Sequence, residues 1–383
     1  MSKPSLRGAT AVVGAGGTKY FRRGAGSAEK KMLLEAVVAA CRDGGIDPHD
    51  VDGFASYGDG HDEGPVLATS LGIKDFKFSV ISSGGGGGIA GAIAAASAAV
   101  YAGIANNVIV YRTLAQAESG RQEFVKYHFT SMYRAQGIVS AVQSGALKNR
   151  RMLDGEGVPA SAVEAFVRAS YFHGSRNPDG LAFEKPLSSA DYNSSRMIAD
   201  PNRVFDCSRE SDGAFAILIT SAERARGLTP TPAYILAATQ SGYAEDAGNS
   251  EPYVTSGFIP GARRLWAESG YGPEDVKVAQ VYENTAGPAV LAMIDHGFTD
   301  FEGAGEFFTY ENLIAPDGKL PINTAGGNVA AGFVHGMGLP VEAVRQIKGQ
   351  SPNQVQDADL SLFIAGPQAQ LTGSVLFGSE RTL

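Results

Sequence analysis

Cysteine is nearly absent. Only Cys41 and Cys207 occur in 383 residues, which excludes a disulfide-stapled scaffold and leaves no Cys-x-x-Cys metal spacing. Clustered positive charge is also missing. Lys and Arg number 32 against 40 Asp and Glu, giving a net charge of −8 with no dense basic run. Neutralising nucleic-acid phosphates needs such a surface, so no nucleic-acid partner is expected. No apolar run is long enough for a membrane helix. The longest, Ile89 to Ala102, is Ala-rich and broken by Gly91, short of the roughly 20 residues a span requires. The opening Met-Ser-Lys-Pro-Ser-Leu-Arg is not followed by the apolar core of a signal peptide. The expected location is cytoplasmic.

Glycine is plentiful, at 49 residues, and charged residues make up only 19%. That combination suits a tightly packed α/β protein with short turns rather than a disordered chain. The length allows a large core. Apolar strand-like runs alternate with helix-like stretches. In the first half, strands are expected at Thr10–Gly14, Val51–Ser56, Phe76–Val80, Asn107–Tyr111 and Gly213–Thr220, with helices at Ala28–Arg42 and Ile89–Ala102. The second half repeats the order. Ala233–Ala237, Val276–Val281, Leu360–Ala365 and Gly373–Phe377 read as strands, and Gly261–Glu268 and Val341–Ile347 as helical. Two halves in one order point to a duplicated unit, residues 1–225 and 226–383. Residues 113–202 form a long insertion in the first half. Within it Val158–Tyr171 reads as an amphipathic helix, with Ser161 as N-cap and Glu164 at capping-box spacing. The insertion either contributes to function or caps the sheet.

Four segments carry chemistry. The first is Ser82-Ser83 and the five glycines Gly84 to Gly88, just ahead of the Ala-rich helix. Bare N–H groups at a helix start, those of Gly85 and Gly86 among them, can hold an oxyanion; the alternative is close packing of helix on strand. The second is Asp206-Cys-Ser-Arg-Glu-Ser-Asp-Gly-Ala-Phe-Ala216, where Cys207 reads as a core thiol. The third, Val281-Tyr-Glu-Asn-Thr-Ala-Gly287, offers the phenol of Tyr282 for proton transfer or oxyanion binding. The fourth is Asn323-Thr-Ala-Gly-Gly-Asn-Val-Ala-Ala-Gly-Phe-Val-His-Gly-Met-Gly338. It holds Gly327, Phe333 and His335, the last a candidate base or a structural hydrogen-bonder. His128, among aromatic neighbours in the insertion, is a further candidate.

Together these segments resemble the thiolase superfamily, in particular the bacterial branch similar to sterol-carrier thiolases and to the aldolases of steroid side-chain degradation. The resemblance covers nearly the whole chain. It implies a thiolase fold of duplicated αβαβα halves with a loop-domain insertion. A thiolase carries a nucleophilic cysteine where this chain has its glycine run, and Gly-His-Pro-x-Gly where this chain has Gly332-Phe-Val-His-Gly336. Phe333 therefore replaces the histidine, and the related aldolases tend to have a tyrosine there. A tyrosine at the position of Tyr282 is shared with those aldolases. The resemblance then implies a retro-aldol cleavage of a β-hydroxyacyl-CoA, such as a steroid side-chain thioester, to a ketone and a short acyl-CoA such as propionyl-CoA. Tyr282, His335 and His128 would be catalytic, and Gly85, Gly86, Gly327 and Phe333 would line the substrate or oxyanion site. No metal and no cofactor beyond the substrate's coenzyme A is expected. The implied partners are a second copy of the chain and a small OB-fold protein bearing a zinc ribbon. Two other readings stay open: a non-catalytic acyl-CoA or lipid-binding scaffold, and an acyltransferase with its nucleophile displaced to Ser82, Ser83 or Cys207.

Overall fold

Alternation of apolar strands with helices produces two sheets' worth of strands wound in the same order. The structure, a computed structural model, describes residues 5–22, 24, 27–58, 64–115, 131–242, 254–369 and 371–383. The first half contains β1 (Thr10–Gly17), β2 (Phe21–Arg22), α1 (Glu29–Asp43), β3 (Gly53–Tyr57), α2 (Gly64–Leu71), β4 (Phe78–Ser82), α3 (Gly88–Tyr101) and β5 (Val108–Leu114). The insertion follows, with helices α4 (Ala141–Arg150) and α5 (Ala160–Gly174) and the short pair β6 (Met197–Ala199) and β7 (Asn202–Arg203). Strand β8 (Ser211–Ser221) closes the half. The second half runs β9 (Ala233–Ser241), α6 (Ile259–Ser269), β10 (Val278–Val281), α7 (Ala286–Asp295), α8 (Gly338–Lys348), β11 (Leu360–Ala365) and β12 (Thr372–Gly378).

The duplication is explicit in the pairing. In the first half β1 is antiparallel to β8, β8 antiparallel to β5, β5 parallel to β3, and β3 parallel to β4. In the second, β9 is antiparallel to β12, β12 antiparallel to β11, β11 parallel to β10, and Ala279 of β10 makes a parallel bridge to Ile322. The halves meet edge to edge where Ala11 and Val12 pair with Tyr234 and Ala233. Equivalent strands end in equivalent turns. The glycine run after β4 corresponds to Asn323–Gly327 after Ile322, and Tyr57-Gly58 after β3 to Tyr282-Glu283 after β10.

Packing explains the layers. Helix α3 is buried on almost every side because alanines and glycines form most of its surface, so it lies between the two halves and touches β3 of one and β9 and β12 of the other. Helix α8 shares that central layer. Helix α1 covers the outer face of the first half with Met32, Leu33, Ala36, Val37, Ala40 and Cys41, all buried at helical spacing. It sits so close to β1 that a side chain at Gly14 would stand 2.0 Å from the Ala40 carbonyl oxygen.

Element boundaries shift by a few residues from those read in the sequence. The clearest difference is α5. It begins at Ala160 behind Pro159, which is extended and makes no side-chain cap. Proline fixes the boundary, and Ser161 falls inside the first turn. Glu164 instead pairs with Arg168 at 3.6 Å and accepts from Asn193 Nδ2 at 3.0 Å. Among the described residues no helix is long and apolar enough to cross a membrane.

Candidate active site

The parallel strands of both halves deliver their C-terminal ends to one place, the position where open α/β sheets usually bind ligands. Tyr57 arrives from β3, Tyr282 from β10, and the glycine turn from β4. Gly84 and Gly85 take left-handed backbone, with φ of +105° and +55°, which turns the chain from β4 into a 3-10 turn at Gly85–Gly87 and then α3. The first internal bond of that turn runs from Gly87 N–H to the Gly84 carbonyl. The N–H groups of Gly85 and Gly86 precede it, as donors at a helix start do.

Gly86 is bare for a specific reason. A Cβ there would lie 2.6 Å from Tyr282 Cζ and 2.8 Å from its hydroxyl oxygen. The phenol of Tyr282 occupies the space that a side chain at position 86 would need. Along the same Cδ2–Cε2 edge the ring meets Gly336, where a Cβ would stand 2.2 Å from Tyr282 Cδ2. Phe333 packs edge-on, with centroids 6.2 Å apart and planes at 79°. Tyr282 is only 2% exposed, yet its hydroxyl makes no hydrogen bond to the described residues. Burial holds this phenol well above the usual tyrosine range, with Glu283 acting in the same direction and Arg112 against it. At neutral pH it is therefore a proton donor.

His335 comes from the other wall. Its backbone is left-handed, with φ of +47°. Its Nε2 faces the turn, 4.0 Å from where a Cβ of Gly85 would be. Tyr57 Oη donates to its carbonyl at 2.8 Å. Tyr282, His335, Gly85 and Gly86 are thus brought together as the sequence suggested. His128 lies outside the described residues.

Two assignments change. Phe333 supplies no oxyanion donor: its N–H donates to the Arg209 carbonyl at 2.9 Å, and its carbonyl accepts from Ser211 Oγ at 3.1 Å. Its ring is an apolar wall between Tyr282 and His335. At Gly327 a Cβ would stand 2.0 Å from the Oε1 of Glu283. That carboxyl is fully buried and raised well above the normal range by burial, although Val329 N–H, Asn328 N–H and the Asn323 amide all donate to Oε1. Its Oε2 has no partner among the described residues. Glu283 thereby joins the turn that follows Tyr282 to the Asn323 and Asn328 segments.

Cys41, Cys207 and Ser82 are poorly placed as nucleophiles. Burial pushes the Cys41 thiol up to about 12, and it lies inside α1. Cys207 Sγ donates to the Arg203 carbonyl at 3.4 Å, and the residue bridges to Thr285. Ser82 Oγ packs against Gly91 of α3. The segment around Cys207 has another purpose. Ser208 N–H donates to the Asn284 carbonyl and Arg209 N–H to the Asn328 carbonyl, each at 2.9 Å. It laces together the loops that carry Tyr282 and Phe333.

Sequence reading missed Arg112 and Tyr57. Arg112 is 3% exposed on β5, where it interrupts an apolar run. A lone arginine in such a run was the available signal, since a buried charge needs a reason. Tyr57 was legible only by superposing the two halves, which puts it opposite Tyr282. Among the described residues no group of three or more His, Cys, Asp or Glu is placed to hold a metal.

A duplicated sheet with its turns converging on a helix start defines a thiolase fold, here without a thiol at the turn and without an imidazole at position 333. Comparison with known proteins agrees. Residues 243–374 match the thiolase C-terminal domain-like family. The chain is 32% identical to the 17-hydroxy-3-oxo-4-pregnene-20-carboxyl-CoA lyase of Mycobacterium tuberculosis, over 97% of this chain and 100% of that one. It is 32% identical to the steroid side-chain-cleaving aldolase of Thermomonospora curvata, over 98% and 99%. The solved Ltp2-ChsH2(DUF35) aldolase superposes with a TM-score of 0.91 at 30% identity, covering 98% and 99%. The chain belongs to the steroid side-chain-cleaving aldolases of the thiolase superfamily.

Proposed function

We propose that this chain cleaves a carbon–carbon bond in a β-hydroxyacyl-CoA by a retro-aldol step, with a steroid side-chain thioester as substrate. The observation that carries the reading is the buried, unpartnered phenol of Tyr282 standing over the glycine turn. No hydrogen bond among the described residues engages that hydroxyl, and its oxygen is not among the fully buried atoms left without a partner, so it is open to a ligand. In the reaction His335 takes the proton of the substrate's tertiary hydroxyl. The hydroxyl oxygen becomes the ketone, and the electron pair of the broken bond passes into the thioester as an enolate. The Gly85 and Gly86 N–H groups face the developing charge. Tyr282, a phenol held protonated by burial, gives its proton to the enolate carbon and regains one from His335. The products are a ketone and a short acyl-CoA such as propionyl-CoA, and the scheme uses no cofactor beyond the coenzyme A of the substrate.

The partners follow from the same reading. Strand β4 ends the sheet, with Ile81 44% exposed on it and Val66 41% exposed on α2 beside it. An uncovered apolar edge is a pairing surface, and we assign it to a second copy of the chain. Ile81→Asp is expected to give a monomer in sedimentation where the parent chain is a dimer. A dimer in both removes this assignment. A small OB-fold protein with a zinc ribbon is proposed as a further partner, in keeping with the two-component name of the solved relative.

The decisive experiment is incubation with a 17-hydroxy steroid acyl-CoA, with and without such a partner, followed by mass detection of the ketone. Binding without turnover in both arms supports the scaffold reading. A covalent acyl adduct supports a displaced nucleophile. Full turnover by the chain alone removes the need for the partner.

A further inference from the structure

We propose that Tyr57 is a positioning residue for His335, holding it by a hydrogen bond to its backbone, and that Arg112 fixes Tyr57 in turn. The inference rests on the reading of His335 as the base.

A histidine with φ of +47° sits in a region that side-chain-bearing residues avoid, at a cost on the order of 1 kcal/mol or more. It persists only when its surroundings over-determine it. Three contacts do so. The Tyr57 hydroxyl donates to the His335 carbonyl at 2.8 Å. The two rings pack with centroids 5.3 Å apart. Gly58, itself at φ +74°, leaves the imidazole room: a Cβ there would stand 2.9 Å from His335 Cε1 and 3.7 Å from Arg112 Nη1.

Tyr57 is in turn immobilised. It is fully buried. Arg112 Nη1 donates to its carbonyl at 2.8 Å, and the guanidinium carbon lies 5.6 Å from its ring centroid. Burial keeps its phenol protonated, well above the usual range, so it remains a donor. The chain Arg112–Tyr57–His335 therefore crosses from β5 to β3 to the loop before α8, and fixes where Nε2 points.

The duplication sharpens the point. Tyr57 and Tyr282 end equivalent strands of the two halves, and both are buried phenols. One hydroxyl is left for the substrate, while the other is committed to a backbone carbonyl. The same residue type at the same place in the repeat has separated into a reacting group and the group that aims its counterpart.

The test is a double-mutant cycle on turnover, with thermal unfolding measured alongside. Tyr57→Phe keeps the ring and deletes only the donor. It is expected to lower kcat about tenfold or more with KM changed less than about twofold, since positioning acts on the reacting geometry. His335→Ala is expected to lower kcat about a hundredfold. The double variant should be no slower than His335→Ala, because Tyr57 acts only through that residue. Parent-level turnover in a folded Tyr57→Phe, beside a slow His335→Ala, overturns the positioning role but leaves the base in place. Effects that multiply in the double variant overturn it too. Parent-level turnover in His335→Ala removes the base itself, and this inference with it.

Discussion

Tyr282→Phe is expected to lower kcat by about a thousandfold while leaving the fold and KM nearly unchanged. The substitution removes one oxygen that bonds to no described protein group, so no buried partner is orphaned and unfolding should shift by less than about 1 kcal/mol. What it removes is the phenol donor that stands against the glycine turn. General acid catalysis is worth about 10² to 10⁴, and loss of an oxyanion donor about 10² to 10³, so a phenol that serves as either lands in this range. Steady-state turnover of the steroid thioester and a thermal melt decide it. Parent-level kcat in a folded variant would falsify the assignment of Tyr282 and favour a scaffold.

Gly86→Ala is expected to be nearly as damaging, by a different route. The new methyl would stand 2.6 to 2.8 Å from the end of the Tyr282 ring, closer than carbon atoms tolerate. The ring has little freedom to adjust, because Gly336 already presses the same Cδ2–Cε2 edge and Phe333 packs edge-on against it. Either the phenol or the α3 turn must move by the better part of an ångström. Such a displacement costs about a hundredfold in rate, and overpacking costs about 1–3 kcal/mol in stability. Loss of kcat, a lowered melting temperature, and no further loss when Gly86→Ala is added to Tyr282→Phe would together mark a shared cause. A further drop in the double variant would show that Gly86 contributes its own N–H geometry separately.

Any side chain at position 86 and the tyrosine at position 282 compete for one volume. The bare glycine and the phenol are therefore two sides of one packing decision at the start of α3.

Particular residues show what could be read early. Gly84 to Gly88 ahead of an Ala-rich run marked a strand-to-helix turn, because few other sequences permit positive φ followed by close helix packing. The alternating strand and helix runs marked the duplicated α/β halves. Tyr282 was legible through the resemblance, which places a tyrosine at that position. Gly327 and Phe333 were legible as site residues in type but not in direction. Periodicity says nothing about which way a loop side chain or N–H faces: Gly327 proved to lie against Glu283, and the Phe333 N–H to donate to the Arg209 carbonyl. Arg112 carried a signal, a lone arginine in an apolar run, but not its partner. Tyr57 reads as an ordinary strand position until β3 and β5 are set beside the loop of His335.

The sequence by itself determined the secondary-structure order, the repeat and the absence of the thiol and imidazole, since these depend on local backbone preference and on which atoms exist. Only the tertiary structure decided that the Tyr282 hydroxyl stays unpartnered, that Gly86 is bare on its account, and that His335 is aimed by a tyrosine 278 positions away in the chain. Those outcomes turn on distances of two to four ångströms between segments remote in sequence, and such distances are fixed by packing.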